Sequence, residues 1–553
     1  MARQRRELPQ APPGLWERAE MRTALSERDI GTVIRIFRKW TGASQTDISV
    51  LTGIPQPDVS DLERGIRHVT AMEVFERIAD GLGIPRSLLG LAEEVPSSLP
   101  SPVAPASPLE LRSIDFVEWI ADHSNLTVGE AYDRLAARIG DIQNLSQSVR
   151  YQRAYARARL TREQLVAALE RYYSSASAPA VGGLYRARVG PHALTTSVLT
   201  RPGWLRSRIP LATPAEHFQF VPPMSAPEPT PLLEGERLDA AIDRLAQAEL
   251  STTVLVNNPI YRLLRIALEP ARLEAAVTLI DFATYALTMD LLESELVDTL
   301  AEVTSQRAAT TMGGQRPRLP LRDAYLPSLT HVLDFERRIC AGGPVALLAA
   351  ARPGRRLGQP ADYALLVQER SPRVVNVVGR LAVIPKAFHG PTVEPQAEAE
   401  LSASVHRELE EELLGRDELG NVLPEGLRKV DPFHTPLLSE PLRWLLDHQD
   451  PSAYQLECVG FGVNLLTGNY EFPCLIVIND EEWWARFGGQ IEANWEIRQV
   501  RLYSSSDAAG LQDLLLDPRW SNEGLFAFVE GLRRLAELDT ASRVTVPEID
   551  AEA

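Results

Sequence analysis

Residues 94–108, EVPSSLPSPVAPASP, contain five prolines and four serines and almost nothing to bury. Proline removes backbone donors and holds the chain extended, so this stretch reads as a semi-rigid linker. It constrains the fold more than any other feature. A chain of 553 residues interrupted in this way packs as separate bodies, as its length also requires.

The excluded classes follow from charge and apolar patterning. The formal net charge is −17, from 57 basic and 74 acidic residues. That balance argues against coating nucleic acid along the whole length and leaves room for one local DNA-reading module. Three cysteines, Cys340, Cys458 and Cys474, are too few for a disulfide framework or a cysteine-rich zinc site. They point to a reducing compartment, and a cytoplasmic location is expected. The longest apolar stretches, such as Val345–Ala351, fall short of the roughly 20 residues a spanning helix needs. The N-terminus, MARQRRELPQAPPG, has no apolar run behind it and does not read as a signal peptide. No membrane partner is expected.

The segment SQTDISVLTGIPQPDVSDLERGIRH (44–68) carries the clearest local architecture. Ser44 is a good N-cap, and Ile48 and Leu51 give the following helix an apolar stripe. Gly53 permits a sharp turn, Ile54 plugs the corner, and Pro55 precedes a second helix with Val59 and Leu62 on its buried face. Gly65 ends that helix. Two short helices across a glycine turn form a helix-turn-helix, whose second helix can enter a major groove.

Ser44-Gln45, Thr52-Gly53-Ile54-Pro55-Gln56, Val59-Ser60 and Leu62-Glu63-Arg64-Gly65 resemble the Cro/lambda-repressor type of helix-turn-helix, and AMEVFERIADGLGIPRSLLGL (71–91) fits its last two helices. The resemblance implies double-stranded DNA as partner. It places Gln45 on a phosphate and Gln56 against adenine, with Ser60 and Asp61 nearby and Arg64 and Arg67 on the backbone. Asp58 and Asp61 depart from the neutral or basic residues of many relatives. Residues 28–90 hold eight basic and eight acidic residues, so binding should lean on dimerisation and specific contacts rather than bulk attraction. A homodimer is expected. The competing reading is a module that has left DNA and binds protein.

The expected fold class is multidomain: an all-α helix-turn-helix N-terminal domain, a largely helical middle region and an α/β C-terminal domain. The expected boundaries are a basic tail over 1–28, the helix-turn-helix domain at 29–92 and the linker at 93–108. A mainly helical middle region at 109–345, the α/β domain at 346–545 and an acidic tail at 546–553 follow. In the middle region FVEWIADHS, TVGEAYDRLAARIGDI, TREQLVAALERYY and RLDAAIDRLAQAEL are amphipathic, and residues 273–303 continue the helical pattern. Residues 182–225 fit short strands better. YALLVQE, VVNVVG and CLIVIND are strand-like and flank one helix at 398–414.

On that helix, HRELEEELLG (406–415) places Glu408, Glu411 and Glu412 at i, i+3 and i+4, on one α-helical face. Three such oxygen ligands suit Mg²⁺ or Mn²⁺; the competing reading is a solvated acidic face. Arg407, Glu408, Leu409, Glu411 and Glu412 resemble the central half of the Nudix box, and the layout from about 360 to 540 is similar to a Nudix-like sandwich. The resemblance implies that Glu408, Glu411 and Glu412 bind metal, with Glu411 and Glu412 catalytic if the domain hydrolyses a nucleoside diphosphate derivative. The first half of the box departs: Val393 and Ala399 stand where a glycine and a glutamate belong, Pro385-Lys386-Ala387 replaces the glycine-rich entry, and Leu414 precedes Gly415. That bears on catalysis more than on fold. His389, His406, Trp483, Trp484 and Trp495 are lesser candidates for the same site.

The leading expectation is a sequence-specific transcriptional regulator whose C-terminal domain senses a nucleotide-type ligand or supports dimerisation. The alternatives are an active Nudix hydrolase localised by its DNA-binding domain, and a non-catalytic interaction scaffold.

Overall fold

The computed structural model describes residues 12, 15–16, 18–26, 29–52, 54, 56–64, 77–79, 81–85, 88, 113–174, 182–205, 207–227, 232–251, 255–306, 316–354, 361–370, 380–414, 438–488 and 497–552. The chain forms two compact units, Met1–Pro108 and Leu109–Ala553.

In the first unit, α1 (Ala19–Ser26), α2 (Ile30–Thr41), α3 (Gln45–Thr52) and α4 (Gln56–Glu63) surround one core. The Asp29 carboxylate caps α2 by accepting from the Thr32 N–H at 3.0 Å. Gly42 ends the helix at φ 73°, a left-handed conformation that costs glycine little. Val33, Phe37, Ile48, Val59 and Ile78 are fully buried, and Ile54 plugs the corner between α3 and α4. The residues expected as a solvated tail over 1–28 behave differently in part: Leu15, Met21, Ala24 and Leu25 pack into this core. Met21, Ala24 and Leu25 do so from α1, at helical spacing, and Leu15 from the turn before it.

The backbones of α2 and α4 meet so closely that a Cβ added at Gly31 would penetrate the Leu62 carbonyl. Gly31→Ala should therefore force α2 and α4 apart and destabilise the first unit by about 1–3 kcal/mol. Chemical denaturation followed through Trp40 would read the loss, and an unchanged midpoint would refute the close approach.

The second unit begins with α5 (Ile114–Asp122), α6 (Val128–Asn144), α7 (Gln147–Ala158) and α8 (Arg162–Tyr173). Capping boxes at Thr127/Glu130 and Thr161/Gln164 start α6 and α8. With α9 (Glu236–Leu250), α5 and α6 close a satellite core around Phe116, Trp119, Leu135 and Leu245.

Among the described residues the remainder is dominated by an 11-stranded mixed sheet. Its members are β1 (Gly183–Val189), β2 (His192–Thr200), β3 (Ile209–Pro210), β7 (Gly342–Arg352), β8 (Asp362–Arg370), β9 (Leu381–Val383), β10 (Tyr454–Cys458), β11 (Gly462–Asn464), β12 (Tyr470–Ile478), β13 (Ile497–Ser504) and β14 (Ile549–Glu552). The main order is β13-β8-β7-β12-β11-β2-β1-β14, with β9 beside β8 and β10 between β12 and β3. At its centre β7 and β12 run parallel, from Gly342 opposite Tyr470 to Ala350 opposite Ile478. Both are buried along their whole length, as near-continuous apolar runs require. A second sheet holds β4 (Glu216–Phe220), β6 (Arg272–Asp281) and β5 (Pro259–Glu269) in that order.

Three expectations change here. The division at 345/346 does not separate compact bodies, because β1 and β2 continue the sheet built by residues 342–552. Residues 272–281 are strand rather than helix: Val277, Thr278 and Ile280 favour the pleated surface that β5 supplies. The end of the acidic tail is β14, paired with β1 from Val189 opposite Ile549 to Arg186 opposite Glu552. The amphipathic runs FVEWIADHS, TVGEAYDRLAARIGDI, TREQLVAALERYY and RLDAAIDRLAQAEL fall largely on α5, α6, α8 and α9, and the strand-like YALLVQE and CLIVIND on β8 and β12. The strand-like VVNVVG lies outside the described residues. Cys340, Cys458 and Cys474 are free and buried. No helix among the described residues is long and apolar enough to cross a membrane.

Candidate functional site

In the first unit α3 and α4 are fastened by a polar lattice centred on Glu63. Arg38 from α2 donates through Nη1 to both Glu63 carboxylate oxygens, at 2.6 and 2.7 Å. The Gln45 amide donates to the same carboxylate, and Gln56 Nε2 donates to Gln45 Oε1 at 2.8 Å. Glu63 is nearly buried, with 8% of its side chain exposed, whereas Gln56 is solvent-exposed at the start of α4. The chain Arg38–Glu63–Gln45–Gln56 thus couples a packed ion pair to an exposed amide at the helix entry. An amide restrained at one end can present a donor and an acceptor outward with less ordering cost.

Of the residues expected on DNA, Gln45 and Gln56 are brought together by this lattice. Ser60, Asp61 and Arg64 lie on or just beyond the same helix, and Arg64 forms an ion pair with Asp61 three residues away. That pair engages an expected base contact and an expected backbone contact with each other. Arg67 lies outside the described residues. Glu63 and Arg38 were not foreseen as organisers; the LERG run that contains Glu63 was the only signal.

In the second unit the acidic helix departs from α-helical geometry. α11 (Leu401–Glu408) gives way to a π-helical segment, Leu409–Leu413. Its wider i→i+5 winding changes the angular spacing that puts i, i+3 and i+4 side chains on one face of an α-helix. The side chains then take separate tasks. Glu412, 1% exposed, accepts the Lys386 backbone N–H at 3.0 Å. Glu410 accepts from Ser439 N and Oγ, at 3.0 and 2.7 Å, fixing the start of α12 (Glu440–Leu446). Glu408 lies 3.5 Å from Arg407, whose guanidinium also holds the Gly390 and Phe388 carbonyls. Among the described residues no three His, Cys, Asp or Glu side chains are grouped to hold a metal ion.

The lesser candidates are structural in character. His389 is buried between the Tyr470 hydroxyl at 3.1 Å and the Ala399 carbonyl at 2.8 Å, and burial pulls it down to about 3. Burial also takes His406 down to about 4, beside the Tyr454 hydroxyl. Trp483 is a core residue donating to the Pro441 carbonyl at 2.9 Å, and Trp484 packs against the same core. Trp495 lies outside the described residues.

A buried polar centre that the sequence did not disclose stands nearby. Lys386 Nζ pairs with Glu523 at 2.5 Å, at the start of α13 (Asn522–Leu538). Asn464 on β11 donates to Glu523 at 3.3 Å and accepts from Ser197 Oγ at 2.6 Å. Burial pushes Glu471 on β12 up to about 8, with Lys386 opposing and Glu523 reinforcing the shift. Burial and the Glu523 and Asp290 carboxylates push Glu293, on α10 (Leu291–Gln306), up to about 7. Burial raises Glu523, but the Lys386 charge and hydrogen bond, joined by hydrogen bonds from its own backbone and from Ser521, together hold it below the usual carboxylate range.

The first unit is thus a helix-turn-helix body with Gln56 exposed at the start of its second helix. A family model described as a helix-turn-helix domain matches residues 29–91. That span supports a DNA-binding N-terminus and says nothing of the second unit. No curated protein matches the chain.

Proposed function

We propose that this protein is a sequence-specific DNA-binding transcriptional regulator. The observation that carries the reading is the lattice from Arg38 through Glu63 and Gln45 to Gln56, which holds an exposed amide at the entry of the second motif helix. A side-chain amide so placed suits bidentate contact with adenine, and Gln45 suits the adjacent phosphate. The near-neutral charge of the module favours a homodimer on a two-fold site, where specific contacts are doubled. In this reading the Leu109–Ala553 unit senses a small effector or supports the dimer. Effector control requires unequal affinity for the two DNA-binding states. A hydrolytic role draws no support from the separated carboxylates of residues 408–412.

Genome-wide mapping of bound DNA, followed by footprinting on the recovered sites, tests the reading. Gln56→Ala should weaken a specific duplex by about 1–3 kcal/mol per half-site and relax preference at one base pair. Absence of any discrete protected site for the native chain would overturn the proposal.

A further inference from the structure

A buried guanidinium in the second unit has donors that no group among the described residues uses. Arg162, the first residue of α8, is 3% exposed. Its Nη2 reaches the exposed carboxylate of Glu163 at 3.2 Å, while Nε and Nη1 are buried with no hydrogen-bond partner among the described residues. Three N–H bonds of one guanidinium are therefore left without acceptors. Buried donors are normally satisfied, and an exception points to a group that arrives from outside.

The surrounding charges favour an anion. Arg380 lies within electrostatic reach of Arg162, and the two cations disfavour each other. Among the described residues Arg380 makes no ion pair, and its hydrogen bond goes to the Pro518 carbonyl at 3.4 Å. Asp517, also within reach of Arg162, is committed to Arg519 through contacts at 2.6 and 3.0 Å. Arg380 also acts on Glu293, a carboxyl that burial and the Glu523 and Asp290 carboxylates push towards its neutral form. Arg162 also stands at the positive end of a 12-residue helix. The Thr161 and Gln164 side chains already cap that end, so the helix contributes its field and the guanidinium contributes the donors.

We propose that Arg162 and Arg380 form the phosphoryl-binding end of an effector site in the Leu109–Ala553 unit. The planar fork of Arg162 accommodates two phosphate oxygens through Nε and Nη1, and Arg380 supplies the second positive charge that a dianion needs. Two guanidinium groups balance a phosphate monoester better than a single carboxylate. The site deepens the effector-sensing part of the proposed function, yet binding itself rests only on this constellation.

The test uses the full chain, with inorganic phosphate, AMP, adenosine and acetate as probes at constant ionic strength. Calorimetric titration and thermal melting should show saturable binding of phosphate and AMP, with none of adenosine or acetate. AMP binding more tightly than phosphate would assign the source to a nucleotide, and equal binding would assign it to the free ion; either supports the site. Arg162→Gln and Arg380→Gln should each weaken binding by roughly ten-fold or more. Without anion, Arg162→Met should melt above the native protein, because it removes buried donors that no native group satisfies. Arg380→Gln at a partly exposed position keeps the test decisive if an Arg162 variant fails to fold. Absence of phosphate binding, equal binding by acetate, or native affinity in both Gln variants overturns the proposal. Loss of DNA binding with phosphate binding intact would instead remove the regulator reading and leave this site standing.

Discussion

Lys386→Met is expected to destabilise the second unit by about 3–5 kcal/mol, the cost of leaving a buried carboxylate without its partner. The ammonium is paired with Glu523 at 2.5 Å, the two side chains being 20% and 5% exposed. It also opposes the upward shifts of Glu471 and Glu293. Methionine preserves the length of the stem and removes only the charge, so packing contributes little to the loss. Denaturation of the isolated variant against the native chain reads the effect. A loss below about 1 kcal/mol would show that Glu523 is neutralised by something other than Lys386.

The pH dependence has a definite sign. Glu471 and Glu293 have native values raised above 4.5, so the folded state holds more protons than the unfolded chain between that value and about 8. Their stabilising contribution is complete below 4.5 and is lost as pH rises through about 7 and about 8. Glu523 is lowered, so its contribution is present above 4.5 and is lost as pH falls through its native value. Native stability should therefore decline between pH 5 and pH 9 through the first two groups. In Lys386→Met, Glu523 joins them, and the decline should steepen. Adding Glu523→Gln to Lys386→Met should recover part of the loss at high pH.

What was legible in the sequence was local. Ile48, Ile54, Val59 and Leu62 lie within 15 consecutive residues, and their spacing alone places α3, the corner and α4. The winding of the carboxylate helix was not legible for an equally local reason: the same letters wind as α or π, and HRELEEELLG contains no residue that marks the change. The strand β6 was hidden because its short apolar run is compatible with a buried helix or a buried strand until its partner is known. Lys386, Glu471 and Glu523 were illegible for another cause. Each is a single charge in its own element, and only the sheet brings β12, α13 and the chain after β9 together. The orphaned donors of Arg162 are likewise a property of packing, absent from any spacing.

Glu63→Ala should affect both stability and recognition in the first unit. It removes the acceptor of both Arg38 bonds and of the Gln45 bond, with Arg38 32% and Glu63 8% exposed. Because Arg38 retains water, the loss should be about 2–3 kcal/mol, below the value for a fully buried pair. That is a large share of the stability of a small domain. A second consequence separates an organiser from a mere stabiliser. Gln45 loses its anchor, so the link that restrains Gln56 becomes free to rotate. At a temperature where both variants remain folded, specific-duplex affinity should fall in Glu63→Ala although no expected DNA contact has been deleted. Adding Gln56→Ala should then cost less than it does in the native background, with a coupling of about 0.5–2 kcal/mol. Strict additivity would mean that Glu63 holds the fold without setting the amide, and the lattice would lose its claim to direct recognition.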